Sequence, residues 1–259
     1  MKKLLDVMAA LRDPDSGCPW DIKQTLKSII PYTLEEAYEV ADAIEQEDML
    51  ALKSELGDLL FQVVFYAQIA KEQGEFEFDD VVDAVSEKLV RRHPHVFAGE
   101  QCEDDVLLNE AWEKAKAAER DQQSAIEKAS VLDGVAMALP ALKRSQKLQK
   151  RAARVGFDWP EIEPVFEKIE EEIQELREAM QQPDKTLVHE EMGDVLFSCV
   201  NLSRHLGVDS EEALRSCNQK FERRFTHIEE ALEKKQKTFQ SRTLQQLEKL
   251  WQDAKLAGK

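Results

Sequence analysis

With 259 residues, 42% of them apolar, the chain can bury the core of one large or two small domains. Nine glycines and eight prolines are few, and Ala, Leu, Glu, Lys and Gln dominate, so the composition predicts an all-α protein. A net charge of −17 repels nucleic-acid phosphates and excludes long-range attraction to a polymer; an acidic chain that handles phosphate needs a metal ion between the two.

The N-terminal MKKLLDVMAALRD begins like a signal peptide, but Asp6 interrupts its apolar run, and Arg12 and Asp13 end it without a cleavage pattern. The longest apolar run, Leu59 to Ala70, contains two glutamines and is too short for a bilayer. These features predict a soluble cytoplasmic protein with no membrane partner. Cys18, Cys102, Cys199 and Cys217 show no CxxC spacing, so buried thiols in a reducing compartment are expected rather than a zinc site.

Along the chain, Leu34, Ala37, Tyr38, Ala41 and Ile44 form a helical stripe, expected to face the core. A second helix is predicted over 54–72, a third from Phe78 to Arg92, stopped by Pro94, and a fourth from Leu107 to Arg120. The pattern then returns at 162–180, 187–206, 210–235 and 241–256, and no segment reads as a strand. The recurrence extends to short motifs in the same order. GCPWD (17–21) pairs with GFDWP (156–160), LEEAYEV (34–40) with EEEIQEL (170–176), and SELGDLLFQVV (54–64) with EEMGDVLFSCV (190–200). KLVRRH (88–93) pairs with KFERRF (220–225), and WEKAK (112–116) with WQDAK (251–255). Five ordered matches imply a duplicated unit. The expected boundaries are 1–119 for the first domain, 120–135 for a linker beginning in polar RDQQSAIEKAS, and 136–259 for the second.

Glu36 and Glu39 are i and i+3 on one helix face, predicted to lie opposite the apolar stripe, where a solvated edge is the ordinary reading. The next helix argues otherwise. Glu55 and Asp58 head a stripe that continues through Gln62, Phe65 and Ile69; its second copy is Glu191, Asp194, Ser198, Asn201 and His205. Buried carboxylates are costly unless paired or metal-bound. The gaps within Glu36, Glu39, Glu55, Asp58 are repeated in Glu172, Glu175, Glu191, Asp194. Two antiparallel helices joined by a short turn bring such pairs face to face. Four repelling carboxylates are relieved by a divalent cation, and all-oxygen ligands favour Mg²⁺, with Mn²⁺ the alternative. Lys88 and Arg92, and Lys220 and Arg224, are i and i+4 pairs suited either to phosphate oxygens or to surface ion pairs. Trp112 with Lys116, and Trp251 with Lys255, suit either base stacking or a core anchor.

EExxE followed by ExxD, together with GCPWD, RRHPHVF, VGFDW and KFERRF, resembles the MazG nucleoside triphosphate pyrophosphohydrolases in their tandem-domain form over nearly the whole chain. The resemblance implies helical bundles, completed by dimerisation into a homodimer, around Mg²⁺. It implies hydrolysis of ribo- and deoxyribonucleoside triphosphates, with broad base tolerance, to the monophosphate and pyrophosphate. It makes Glu172, Glu175, Glu191 and Asp194 the metal-binding and catalytic set, with Glu36, Glu39, Glu55 and Asp58 as first-half counterparts. It makes Lys168, Lys220, Arg224, Trp251 and Lys255 nucleotide contacts, and Lys88, Arg92, Trp112 and Lys116 weaker ones. Tyr32 stands where Lys168 recurs, and Phe65 and Ile69 stand where Asn201 and His205 recur, so the C-terminal half is expected to carry most of the activity. A pyrophosphohydrolase selective for dUTP or phosphoribosyl-ATP, and a non-enzymatic helical interaction module, are the competing readings.

Overall fold

In the computed structural model, residues 1–98 and 130–258 are described; they form ten α-helices and no strand. The chain divides into two compact units, Met1–Ala125 and Ile126–Lys259. The helix expected at Leu107–Arg120, with Trp112 and Lys116, and most of the expected linker lie outside the described residues.

The first unit contains α1 (Lys2–Leu11), α2 (Ile30–Glu45), α3 (Met49–Glu72), α4 (Phe78–Arg92) and the short α5 (Pro94–Phe97). α2 and α3 are paired, joined by a tight turn in which Glu47 adopts φ 56°. Asp48 then caps α3, accepting hydrogen bonds from the Leu50 N–H at 2.9 Å and the Ala51 N–H at 3.0 Å. The core is Met8, Ile29, Val64, Phe65 and Ile69, flanked by Leu4, Leu5, Phe61, Tyr66 and Phe78. Arg12 ties the end of α1 to the end of α3, its Nε donating to Glu72 Oε1 at 2.9 Å and its Nη2 to Oε2 at 2.5 Å. Its Nη1 also donates to the Asp21 carbonyl at 2.6 Å.

The second unit contains α6 (Ala141–Arg154), α7 (Glu163–Ala179), α8 (Lys185–His205), α9 (Ser210–Glu233) and α10 (Leu244–Leu256). α7 and α8 pair as α2 and α3 do, and Asp184 caps α8 through the Thr186 N–H at 2.8 Å. α6 lies against α8, as α1 lies against α3. Two buried glutamines dock it. Gln146 Nε2 donates to the Val208 carbonyl at 3.0 Å, and Gln149 Nε2 donates to the Phe197 carbonyl at 2.8 Å.

Two expectations are corrected. The apolar stripe of α2 does not face the core: Leu34, Tyr38 and Ile44 are 43%, 50% and 57% exposed, and the only fully buried residue of the helix is Ala43. Glu36 and Val40 are half-buried instead, and Glu36 lies beside Glu55, Asp58 and Gln62 of α3. Nor are the thiols buried, since Cys199 and Cys217 are exposed and Cys18 is half-buried; Cys102 lies outside the described residues. Among the described residues no helix is long and apolar enough to cross a membrane.

Candidate metal and nucleotide site

The paired helices bring carboxylates together once in each unit. Glu36 and Glu39 of α2 meet Glu55 of α3, and Glu172 and Glu175 of α7 meet Glu191 of α8; in each trio one oxygen per residue lies within 4.8 Å of the others. The Asp-capped turn explains the match, because it fixes the register of each second helix against its first. Asp58 and Asp194 stand outside these trios, exposed one turn further along. They remain neighbours of the site: Asp58 acts electrostatically on Glu36 and Glu55, and Asp194 lines a cavity with Glu172.

The electrostatics are those of crowded anions. Glu36 is pushed above the usual carboxylate range, first by loss of water and then by Asp58, Glu39 and Glu55, with a Gln62 hydrogen bond opposing. Glu55 is raised by desolvation, then by Glu39 and Asp58. Glu175 is raised by desolvation and Glu172, against the pull of Lys168. The second trio differs in having this cation. Lys168 Nζ lies 2.9 Å from Glu172 and 3.0 Å from Glu171, and those bonds raise the ammonium's pKa. Glu172 is 6% exposed, a depth at which a carboxylate requires a positive partner. Three converging oxygens from two rigid helices, one of them buried, fit a hard divalent cation.

The inward stripes are as the sequence implies. Gln62, Phe65 and Ile69 are buried, as are Ser198 and Asn201, while His205 is half-buried. Their chemistry separates the units. In the first, Phe65 and Ile69 belong to the hydrophobic core. In the second, the same face of α8 borders a cavity of about 640 Å³ lined by Lys168, Glu172, Asp194, Ser198 and Asn201. Gln149, Phe157, Asp158, Trp159 and Arg204 also line it. Of these five, none stood out in the sequence as a site residue. GFDWP marked the loop that carries three of them, but nothing local marked Gln149 or Arg204. Asp158 accepts hydrogen bonds from Arg204 Nη2 and from the Trp159 N–H at 3.0 Å, and lies 3.1 Å from His205 Nε2. Desolvation pushes its carboxyl up, but Arg204 and His205 together outweigh this and hold it below the usual range.

The remaining predicted contacts form a separate group. The Arg224 guanidinium lies 5.6 Å from the Trp251 ring centroid, and Phe221 packs on Trp251 at 5.3 Å. Lys220 and Lys255 are exposed on the same two helices. None of these four lines the cavity. Lys88 and Arg92 lie on α4, which buries no residue.

Comparison with known proteins agrees with this architecture. The family description of the MazG nucleotide pyrophosphohydrolase domain matches residues 24–97 and again 161–229, so each match spans one acidic helix pair. The chain is 50% identical over 255 residues to the nucleoside triphosphate pyrophosphohydrolase of Escherichia coli K12, covering 98% of this chain and 96% of that one. It is 44% identical over 254 residues to the nucleoside triphosphate pyrophosphohydrolase/pyrophosphatase MazG of Thermotoga maritima, covering 98% and 95%. With the Mycobacterium tuberculosis nucleoside triphosphate pyrophosphohydrolase it shares 40% identity over 158 residues, 60% of this chain and 46% of the other. On its two domain matches and its near end-to-end similarity to these proteins, the chain belongs to the MazG nucleotide pyrophosphohydrolase family.

Proposed function

We propose that the protein is a Mg²⁺-dependent enzyme that hydrolyses ribo- and deoxyribonucleoside triphosphates, with broad base tolerance, to the monophosphate and pyrophosphate, mainly in its C-terminal unit. One observation carries this reading: Glu172, the buried member of the Glu172–Glu175–Glu191 trio, lines with Asp194 and Lys168 a large cavity walled by apolar and aromatic side chains, as a triphosphate carrying a flat base requires. In the first unit the corresponding face is packed into core.

Glu172, Glu175, Glu191 and Asp194 would hold the metal, with Glu36, Glu39, Glu55 and Asp58 a weaker counterpart set; Mn²⁺ suits the same oxygens. The ion's contribution is to offset negative charge building on the triphosphate. The chain's own groups do the positioning. Lys168 reaches phosphate oxygens, Asp194 bounds the cavity beside them, and a carboxylate of the set orients the attacking water. Lys220, Arg224, Trp251 and Lys255 form a second cationic and aromatic surface for the nucleotide. The outward stripe Leu34, Tyr38, Ile44 on α2, the exposed Phe166 and Ile173 on α7 and the exposed Met180 that caps it support a homodimer. With −17 of net charge, the substrate is a free nucleotide and not a polymer.

Labelled nucleoside triphosphate incubated with Mg²⁺ should yield pyrophosphate; release of orthophosphate would overturn the reading. Glu175→Ala should lower kcat by about 100-fold or more, while Glu39→Ala should leave it within about threefold. Equal losses in the two variants would end the case for asymmetry.

A further inference from the structure

Asp194, Ser198 and Asn201 share one face of α8, and all three line the cavity of the C-terminal unit. At 1.5 Å per residue, Asn201 stands about 10 Å along the helix from Asp194. Around it the walls are Leu148, Ala152, Phe157, Trp159 and Phe197. Asn201 is only 8% exposed. Its Oδ1 accepts from Arg204 Nε at 3.1 Å and from Arg204 Nη2 at 2.7 Å. A guanidinium has only donors, so the amide cannot flip, and Nδ2 is the atom left to donate. Arg204 is itself held by Asp158. Asn201 Nδ2 bonds no protein group among the described residues. The cavity's other amide is fixed by the same logic: Gln149 Nε2 is committed to the Phe197 carbonyl, and its buried Oε1 has no partner.

We propose that this cavity is the nucleobase pocket and that Asn201 is its specificity-determining residue, Nδ2 donating a hydrogen bond to a ring nitrogen or carbonyl oxygen of the base. The proposal rests on the triphosphate-hydrolysing reading above and adds the atom that reads the base. Apolar walls take the ring faces without discrimination. The Asn201 donor asks only for an acceptor, which each common base presents. This is a physical basis for a broad range of bases combined with rejection of a substrate that has none. Asp158 and Arg204 are positioning residues, since they act through Asn201.

The test compares pyrophosphate release from ATP and from ribose 5-triphosphate, which lacks a base. The wild-type protein should favour ATP by about tenfold or more in kcat/KM. Asn201→Asp keeps an oxygen for Arg204 and replaces the donor by an acceptor. It should shrink that preference to about threefold or less, through KM, with the thermal midpoint little changed. The proposal fails if the wild type treats both substrates alike, or if Asn201→Asp slows both by the same factor. If neither substrate releases pyrophosphate, the hydrolytic reading has failed, and binding decides the pocket separately. Quenching of Trp159 fluorescence, assigned with Trp159→Phe, by AMP but not by ribose 5-phosphate sustains it; an equal response, or none, overturns it.

Discussion

Arg12 joins three parts of the first unit from the C-terminal cap of α1. Its guanidinium is bidentate to Glu72, bonds the Asp21 carbonyl and lies 5.4 Å from the Phe65 ring centroid. Arg12→Leu should cost about 2 kcal/mol of stability by chemical denaturation at neutral pH, because charged hydrogen bonds to partly buried partners are lost together. The pH dependence has a definite sign. Glu72 is held below its ordinary value, chiefly by the Arg12 hydrogen bond, so the stabilisation is present above the unfolded-state pKa and is lost as pH falls through the folded one. The penalty of Arg12→Leu should therefore shrink when the titration is repeated at about pH 3; a pH-independent penalty would place Arg12's role in packing alone. Lys168 presents a different competition. It is bonded to Glu172 and Glu171; a divalent ion held by Glu172 would compete for the same oxygen and leave Nζ to a phosphate. Lys168→Met should raise KM for triphosphate by about tenfold while tightening Mg²⁺ binding followed by thermal shift; weaker Mg²⁺ binding would contradict this order of events. The Arg12 role could not be read from sequence, and Lys168 entered as a nucleotide contact only through the family resemblance. Glu72 is sixty positions from Arg12, and the same lysine spacing serves a phosphate contact or an ion pair equally well.

α2 illustrates which part of a helix its own periodicity reveals. The repeat of Leu34, Ala37, Tyr38, Ala41 and Ile44 correctly marks a helix and an apolar side, yet the partner of that side is not α3. Periodicity reports that a face avoids water; it does not say which surface covers it. The paired carboxylates resolve the choice, since converging on Glu55 requires α2 to present Glu36 and Glu39 toward α3 and the stripe away from it. The stripe of α3 was legible for the complementary reason. Gln62, Phe65 and Ile69 continue the line of Glu55 and Asp58, so one polar and two apolar residues report the same inward side. If the outward stripe of α2 is an interface, Tyr38→Asp should shift the protein toward monomer in sedimentation without lowering its helix content. Its side chain is 50% exposed, so little within the unit depends on it. Unchanged mass would show that the stripe covers nothing between copies.

Duplication copied the backbone solution and let the side chains diverge. Both units keep the aspartate-capped turn and a glutamate trio, and these were visible as identical spacings in the two halves. The cavity was less visible. Asn201 and His205 replacing Phe65 and Ile69 hinted at a more polar second site, but Gln149 comes from a helix whose docking on α8 depends on amide-to-carbonyl bonds with no sequence signature. On the function proposed above, the consequence would be two cation cradles of unequal use, and this can be measured without turnover. A ligand at about 100 times its dissociation constant stabilises the state that binds it by about 2.7 kcal/mol. Mg²⁺ should thus raise the unfolding midpoint of both units. Glu36→Gln with Glu39→Gln should abolish the shift of the first unit only, and Glu172→Gln with Glu175→Gln that of the second only. Addition of a non-hydrolysable triphosphate should then enlarge the Mg²⁺ shift in the second unit and leave the first unchanged, because the second places a cavity beside Glu172 and Asp194, whereas the matching face of the first packs Phe65 and Ile69 into its core. Equal enlargement in both units would mean that the packed face holding Phe65 and Ile69 opens to admit nucleotide, and the two halves would then be alternative active sites rather than one site and its structural echo.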